Sequence, residues 1–146
     1  PDTELEQARL TMYSADETTR WDLSAERVQQ FKNSSQVKLM DVQAKVSEAE
    51  KEIISLRAAA AKADTKTGFL AFEGPIEISG NNRRLQVDNL YWNEVHNQLT
   101  GRGNVVFERP EMQVTGDSFI AQMDLRRVKI RGRARATYES AGENSG

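Results

Sequence analysis

The chain has no cysteine, one histidine, three prolines and no uninterrupted apolar run of membrane length. Without thiols there are no disulfides, no thiolate metal ligands and no thiol nucleophile, and either a reducing or an oxidising compartment is compatible. The one histidine, His96, lies in the polar stretch NEVHNQ. It reads as a surface turn residue, and its isolation argues against a zinc site. No run of about 18 apolar residues is present, so this stretch carries no membrane-spanning helix. Lys and Arg number 20 against 22 Asp and Glu, a net charge of −2. No global field therefore draws the chain to nucleic acid. No glycine-rich loop opens a helix to cradle a phosphate, since Gly101-Arg102-Gly103 falls inside a strand pattern. Glu48, Glu50 and Glu52 are the one candidate for the paired carboxylates of glycoside chemistry. A solvated charged turn explains them more simply. No catalytic residue, metal ligand or cofactor is assigned.

What is present is a repeat. Leu70, Leu99 and Val128 are 29 residues apart, and so are Phe72, Gly101 and Ile130. The same spacing links Gly74, Gly103 and Gly132, then Ile76, Val105 and Ala134, then Ile78, Phe107 and Ala136. Within each copy these are alternate residues, the mark of a strand with one buried face. A fixed period of this length marks stacked supersecondary units. The expectation is an antiparallel β ribbon with one continuous apolar face. The glycine row would let the backbone bend or be approached closely. Between the apolar positions lie Glu73 and Glu77, then Gln98, Thr100, Arg102 and Asn104, then Arg127, Lys129, Arg131, Arg133 and Arg135. That face should be solvated, and a slip of one residue would bury its charge, so the register is strongly specified.

At 146 residues the chain is expected to form a single domain over 1–146, with residues 139–146 a disordered tail. Residues 1–4 are expected to fray. Residues 5–13 and 21–31 read as strands separated by the turn SADET. Val37 and Leu39 keep one parity and Val42, Ala44 and Val46 the other, which places a bulge near Met40 and Asp41. Residues 47–63 are ambiguous. Propensity and a capping box argue for a helix. The repeat argues for a strand, because Leu56 stands 29 residues before Leu85 and Ile54, Leu56, Ala58 and Ala60 alternate. A charged turn at 48–52 followed by an alanine-rich strand is the expectation. Strands follow at 69–79 and 99–107, with Leu85 and Val87 changing parity into Leu90 and Trp92. Met112 and Val114 lead to Phe119, Ala121 and Met123, and a final long strand spans 128–138. Trp21, Phe72, Trp92, Phe107 and Phe119 fall on inner positions. The basic run at 126–135 either holds phosphates or guards an exposed last strand against unwanted pairing. The placement of its cations on one face favours the guard.

The stretch from FEGPIEISGNN to KIRGRARATY resembles the repeat of the lipopolysaccharide-transport bridge proteins, a family that includes LptA, LptC and the periplasmic domain of LptD. The segment LTMYSADETTRWDLSAERV resembles the start of the LptC periplasmic domain. The likeness runs from about Leu5 to Glu139 and rests on strand and glycine patterns. It implies an all-β, twisted, boat-shaped and open-edged antiparallel β-jellyroll. It also implies a periplasmic, non-enzymatic conduit that takes lipopolysaccharide from an inner-membrane ABC transporter and passes it to an LptA-like bridge protein. LptC proteins carry an N-terminal membrane helix that this stretch lacks. The chain opens on Pro1 rather than methionine, so a trimmed form of an inner-membrane-anchored protein is expected.

On that reading, parity gives an apolar lining for acyl chains. It comprises Ala8 and Leu10, Leu23, Leu39, then Leu70, Phe72, Ile76 and Ile78. Leu85 and Val87, Leu99, Val105 and Phe107, Met112 and Val114, Val128, Ile130 and Tyr138 complete it. Two edges are expected to meet partners by strand addition. Leu5, Leu10, Met12 and Tyr13 would meet the periplasmic β domains of the LptF/LptG transporter. Val128, Ile130, Gly132, Ala134, Ala136 and Tyr138 would meet the next bridge protein, and edge pairing would also permit homo-oligomers. The alternatives are an LptA-like soluble bridge protein, a structural β-solenoid that self-assembles without ligand, and a polysaccharide-acting enzyme. The last ranks lowest because the acids mostly face outward.

Overall fold

The computed structural model describes residues 3–139. The described residues form one ten-stranded antiparallel sheet and no helix: β1 (Thr3–Tyr13), β2 (Thr19–Gln30), β3 (Gln36–Glu48), β4 (Lys51–Asp64), β5 (Leu70–Gly80), β6 (Arg83–Asn93), β7 (Gln98–Arg109), β8 (Met112–Gln122), β9 (Val128–Arg131) and β10 (Arg135–Tyr138). Each strand pairs with the next through β8, whose far side is covered by β9 along one half and β10 along the other. The stretch 47–63 is strand, as the repeat required. Ala49 and Glu50 both have positive φ (51° and 64°), so β3 and β4 join through a two-residue hairpin turn. Asn81 and Asn82, at 52° and 59°, do the same between β5 and β6.

One row of residues interrupts the pairing of successive strands, and from β4–β5 to β7–β8 the register also shifts there. It runs through Gln7, Glu26, Asp41, Ala59, Gly74, Asp88, Gly103, Asp117 and Gly132, where Cα pairing skips across neighbouring strands. On strands running one way the chain is left-handed here: Gln7 (φ 51°), Asp41 (53°), Gly74 (83°), Gly103 (94°) and Gly132 (82°). On the strands between, Ala59, Asp88 and Asp117 lie directly against those glycines. A Cβ on Gly74 would sit 2.5 Å from Cβ of Ala59, and one on Gly132 would meet Asp117 as closely. Asn104 donates to Asp88 at 2.7 Å, and Arg133 grips Asp117 with Nη2 at 2.9 Å and Nε at 3.2 Å. This seam divides the sheet into a first half-sheet, on the side of residues 8–13 and 19–25, and a second, on the side of 27–30 and 70–73.

The seam explains the parity changes. Leu39 and Val42 are both buried across Asp41, and Val87 and Leu90 are both buried across Asp88. Ala59 causes a further change not expected from the alternation: Ala58, Ala61 and Ala63 are buried and Ala60 is not. Gly101 sits where a side chain would collide with the Phe119 ring, so Phe119 fills the space that Phe72 occupies one repeat earlier.

Four expectations are corrected. Thr3 and Glu4 are not frayed but pair with Gln30 and Gln29. The last strand is not continuous, because the seam at Gly132 splits it into β9 and β10. Ala134 and Ala136, expected on the buried face, are exposed because no strand lies beyond them. Of the tail expected at 139–146, Glu139 is instead held, its N–H donating to the Glu111 carbonyl at 2.9 Å, and 140–146 lie outside the described residues.

Two outcomes follow from this geometry. Gly74→Ala should cost about 2 kcal/mol or more in urea unfolding, from the left-handed backbone and the Ala59 contact. Ala59→Gly added to it should recover the contact part only. Asp64 accepts from the Ser35 hydroxyl at 2.8 Å and from the Lys66 and Thr67 amides at 2.9 and 3.2 Å. The Ser35 bond leads in holding its pKa below the ordinary carboxylate value. Such a group adds stability that is complete above its unfolded pKa of about 3.9 and is lost as pH falls through the lower folded value. Asp64→Asn should therefore flatten part of the acid-side fall in the urea midpoint.

Candidate functional site

The apolar face is continuous, and the sheet has closed over it. Of the expected lining, Leu23, Leu39, Leu70, Phe72, Ile76, Ile78, Leu85, Val87, Leu99, Val105 and Phe107 are all buried in one hydrophobic cluster. Ala8, Leu10, Met112, Val114, Val128 and Ile130 are partly buried against it. Tyr138 stands apart at 72% exposed. Phe72, Val105 and Ile130 thus share one side, as the repeat demanded. The expected open trough is instead a packed interior. Apolar surface that water would otherwise cover is buried when the two half-sheets meet.

That meeting is recorded by contacts between strands that are not neighbours. Trp21 of β2, fully buried, stacks on Phe72 of β5 with centroids 5.5 Å apart and planes at 28°. It also packs on Trp92 of β6 at 5.5 Å and 51°. A polar clasp lies beside this aromatic cluster. Trp92 Nε1 donates to Asn97 Oδ1 at 3.2 Å, and Asn97 Nδ2 donates to Thr19 Oγ1 at 2.7 Å and lies 3.5 Å from Glu48 Oε2. Thr19 Oγ1 in turn donates to Glu48 Oε2 at 3.3 Å. The clasp ties the start of β2 and the end of β3 to the β6–β7 turn, over a sequence distance of 78 residues between Thr19 and Asn97.

Sequence reasoning missed this clasp. The usable signal was Trp92, whose indole N–H requires an acceptor when buried. Nothing local pointed to Thr19 as its distant support. Beside the clasp, the β1–β2 turn is held by Asp16, which accepts from the Thr18 and Ser14 hydroxyls, each at 2.7 Å. Those bonds, the Thr18 one foremost, lower its pKa.

The two expected edges are the two ends of the sheet. On β1 the first half of the strand is exposed, with Leu5 at 50%, and Tyr13 at the strand's far end is 54% exposed. Met12 lies on that strand but points inward and is buried. On the other edge Val128 and Ile130 are half-buried, while Gly132, Ala134, Ala136 and Tyr138 are exposed. The cations of this edge, Arg127, Lys129, Arg131, Arg133 and Arg135, are all exposed. Among the described residues Arg133 alone of these is in an ion pair, with Asp117, and that contact raises its pKa further. His96 is exposed in the β6–β7 turn. Among the described residues no group of three His, Asp or Glu could hold a metal ion.

The family model for LptC, described as lipopolysaccharide-assembly, LptC-related, matches residues 1–139. Among solved structures, the chain resembles LptH, the LptA-homologous periplasmic component of the conserved lipopolysaccharide transport device from Pseudomonas aeruginosa. The TM-score is 0.65 at 10% identity, over 82% of this chain and 95% of that one. The likeness is one of fold. No curated protein matches the chain by sequence.

Asn97→Ala would leave the Trp92 N–H without its acceptor and remove the donor to Thr19 Oγ1, while the Thr19–Glu48 bond remains. It should destabilise the chain by about 1–3 kcal/mol and red-shift tryptophan emission as the aromatic cluster loosens. Unchanged stability and emission would show that the clasp does not hold the half-sheets together.

Proposed function

The chain belongs to the LptC-related family of lipopolysaccharide-assembly proteins, a component of the periplasmic transport bridge, and we propose that it conducts the acyl chains of lipopolysaccharide between its two half-sheets. The observation that carries this reading is the unbroken apolar interior running from strand to strand through the sheet. An acyl chain of about ten methylenes would forfeit about 8 kcal/mol on crossing water. A route that keeps it dry removes that barrier. Parting the half-sheets exchanges side-chain contacts for contacts with the acyl chains, apolar for apolar. The sugars remain outside, at the open edges.

In this reading lipopolysaccharide arrives from an inner-membrane ABC transporter and leaves to an LptA-like bridge protein. The β1 edge meets the periplasmic β domains of LptF/LptG, and the β9–β10 edge meets the next bridge protein. Both edges end the sheet with unpaired backbone groups, which strand addition would satisfy. The short, exposed β10 leaves Ala134, Ala136 and Tyr138 for a partner strand to cover. Anchoring in the inner membrane through a helix preceding this stretch belongs to the same proposal.

A photo-crosslinking residue at Phe107, in the interior, or at Tyr138, on the exposed edge, tests the route in cells that export lipopolysaccharide. Adducts with lipopolysaccharide at Phe107 and with the bridge protein at Tyr138 are expected. Continued export with no lipid adduct at Phe107 would sink the interior route.

A further inference from the structure

We propose that the outward face of the second half-sheet, across β6 to β9, docks on an anionic phospholipid bilayer. The face is built from two adjacent cross-strand rows. Tyr91, Thr100, Ile120 and Lys129 are register partners in one row, and Asn89, Arg102, Ser118 and Arg131 in the next. They line a shallow concavity of about 610 Å³. Tyr91 is 49% exposed and Ile120 39%, large for sheet residues with no neighbour over them. Phe69 extends the apolar surface, its ring 6.3 Å from that of Tyr91.

The charge on this face is one-sided. No outward position of β6 to β9 in this half is acidic, while Arg102, Lys129 and Arg131 are cationic and exposed. None of the three is in an ion pair among the described residues. In the register, Asn89 pairs with Glu73 of β5, whose carboxylate lies 3.8 Å from the Lys62 ammonium, while Asp88 and Asp117 at the seam are engaged by Asn104 and Arg133. The outward face of the first half-sheet is different. Its concavity, about 620 Å³, mixes Arg57 with Glu77 and Thr11 with Asp22, which pair with each other. There Asp22 and Glu77 offset part of the charge of Arg9, Lys45 and Arg57, whereas no carboxylate lines the concavity on β6 to β9.

Cations interspersed with a tyrosine and aliphatic side chains match the headgroup layer of a membrane. Phosphates meet the cations, while Tyr91, Ile120 and Phe69 reach the boundary with the acyl region. A free phosphate or a polyanion without an apolar part would leave Tyr91 and Ile120 in water. The interior route does not use these side chains, so the surface stands or falls independently of it. Docked this way, the roll would lie with its second half-sheet against the bilayer and its β1 edge free.

Sedimentation of the purified chain with vesicles free of lipopolysaccharide tests this. Vesicles of phosphatidylethanolamine and phosphatidylglycerol should retain the chain and phosphatidylcholine vesicles should not, and 0.5 M salt should weaken retention. The triple variant Arg102→Glu, Lys129→Glu, Arg131→Glu should lose about a hundredfold in partitioning while its circular dichroism is unchanged. The pair Tyr91→Ser, Ile120→Ser should weaken retention with all charges intact. Lys45→Glu, on the other outward face, should not. No retention by anionic vesicles, or equal retention of the folded triple variant, would overturn the proposal and leave this face to an acidic protein surface.

Discussion

Every strand of this sheet must turn through the same seam, and the rest of the structure depends on that constraint. A flat sheet with one apolar face would leave that face in water. A sheet bent along one line can fold the face onto itself. The bend needs left-handed backbone on alternate strands and small or polar partners between them. Gly74, Gly103 and Gly132 meet the first need, and Ala59, Asp88 and Asp117 the second. Both sets are spaced by 29 residues, so one physical requirement generates the period seen in the sequence.

What the bend encloses is held in two ways. Apolar packing closes the interior without direction, so another apolar occupant can replace it. The Thr19–Asn97–Glu48 clasp and the Trp21–Phe72 stack are directional and hold one pair of strand segments in place. A molecule that passes acyl chains requires both properties: a wall that yields and a fixed point about which it yields. In the proposed conduit the edges would supply the third requirement, continuity, since the unpaired backbone of β1 and of β9 and β10 is what strand addition by a like fold would need.

Much of this was legible in the sequence because the second part of the chain repeats itself. The glycine row marked the seam, the alternation marked the inner face, and Leu56 before Leu85 identified β4 as a strand against a helical propensity. Legibility failed where different residues meet the same need. Gln7 and Asp41 adopt the left-handed conformation without being glycine, and they stand 33 to 34 residues from the next such position rather than 29. Ala59 shifts the parity of β4 with no marker, because every candidate there is alanine. The closure of the trough and the clasp depend on segments far apart in the chain, which no local pattern reports. The exposure of Ala134 and Ala136 is a matter of position in the sheet, since the same alternation buries a strand only when another lies beyond it.

The central claim is that the two half-sheets part to admit acyl chains. Spin labels at Lys45, outward on β3 in the first half-sheet, and at Glu73, outward on β5 in the second, would report their separation by electron–electron double resonance. Adding lipopolysaccharide should lengthen and broaden the distance distribution, and lipopolysaccharide stripped of its acyl chains should not. A distribution that stays fixed while intact lipopolysaccharide is bound would contradict the account.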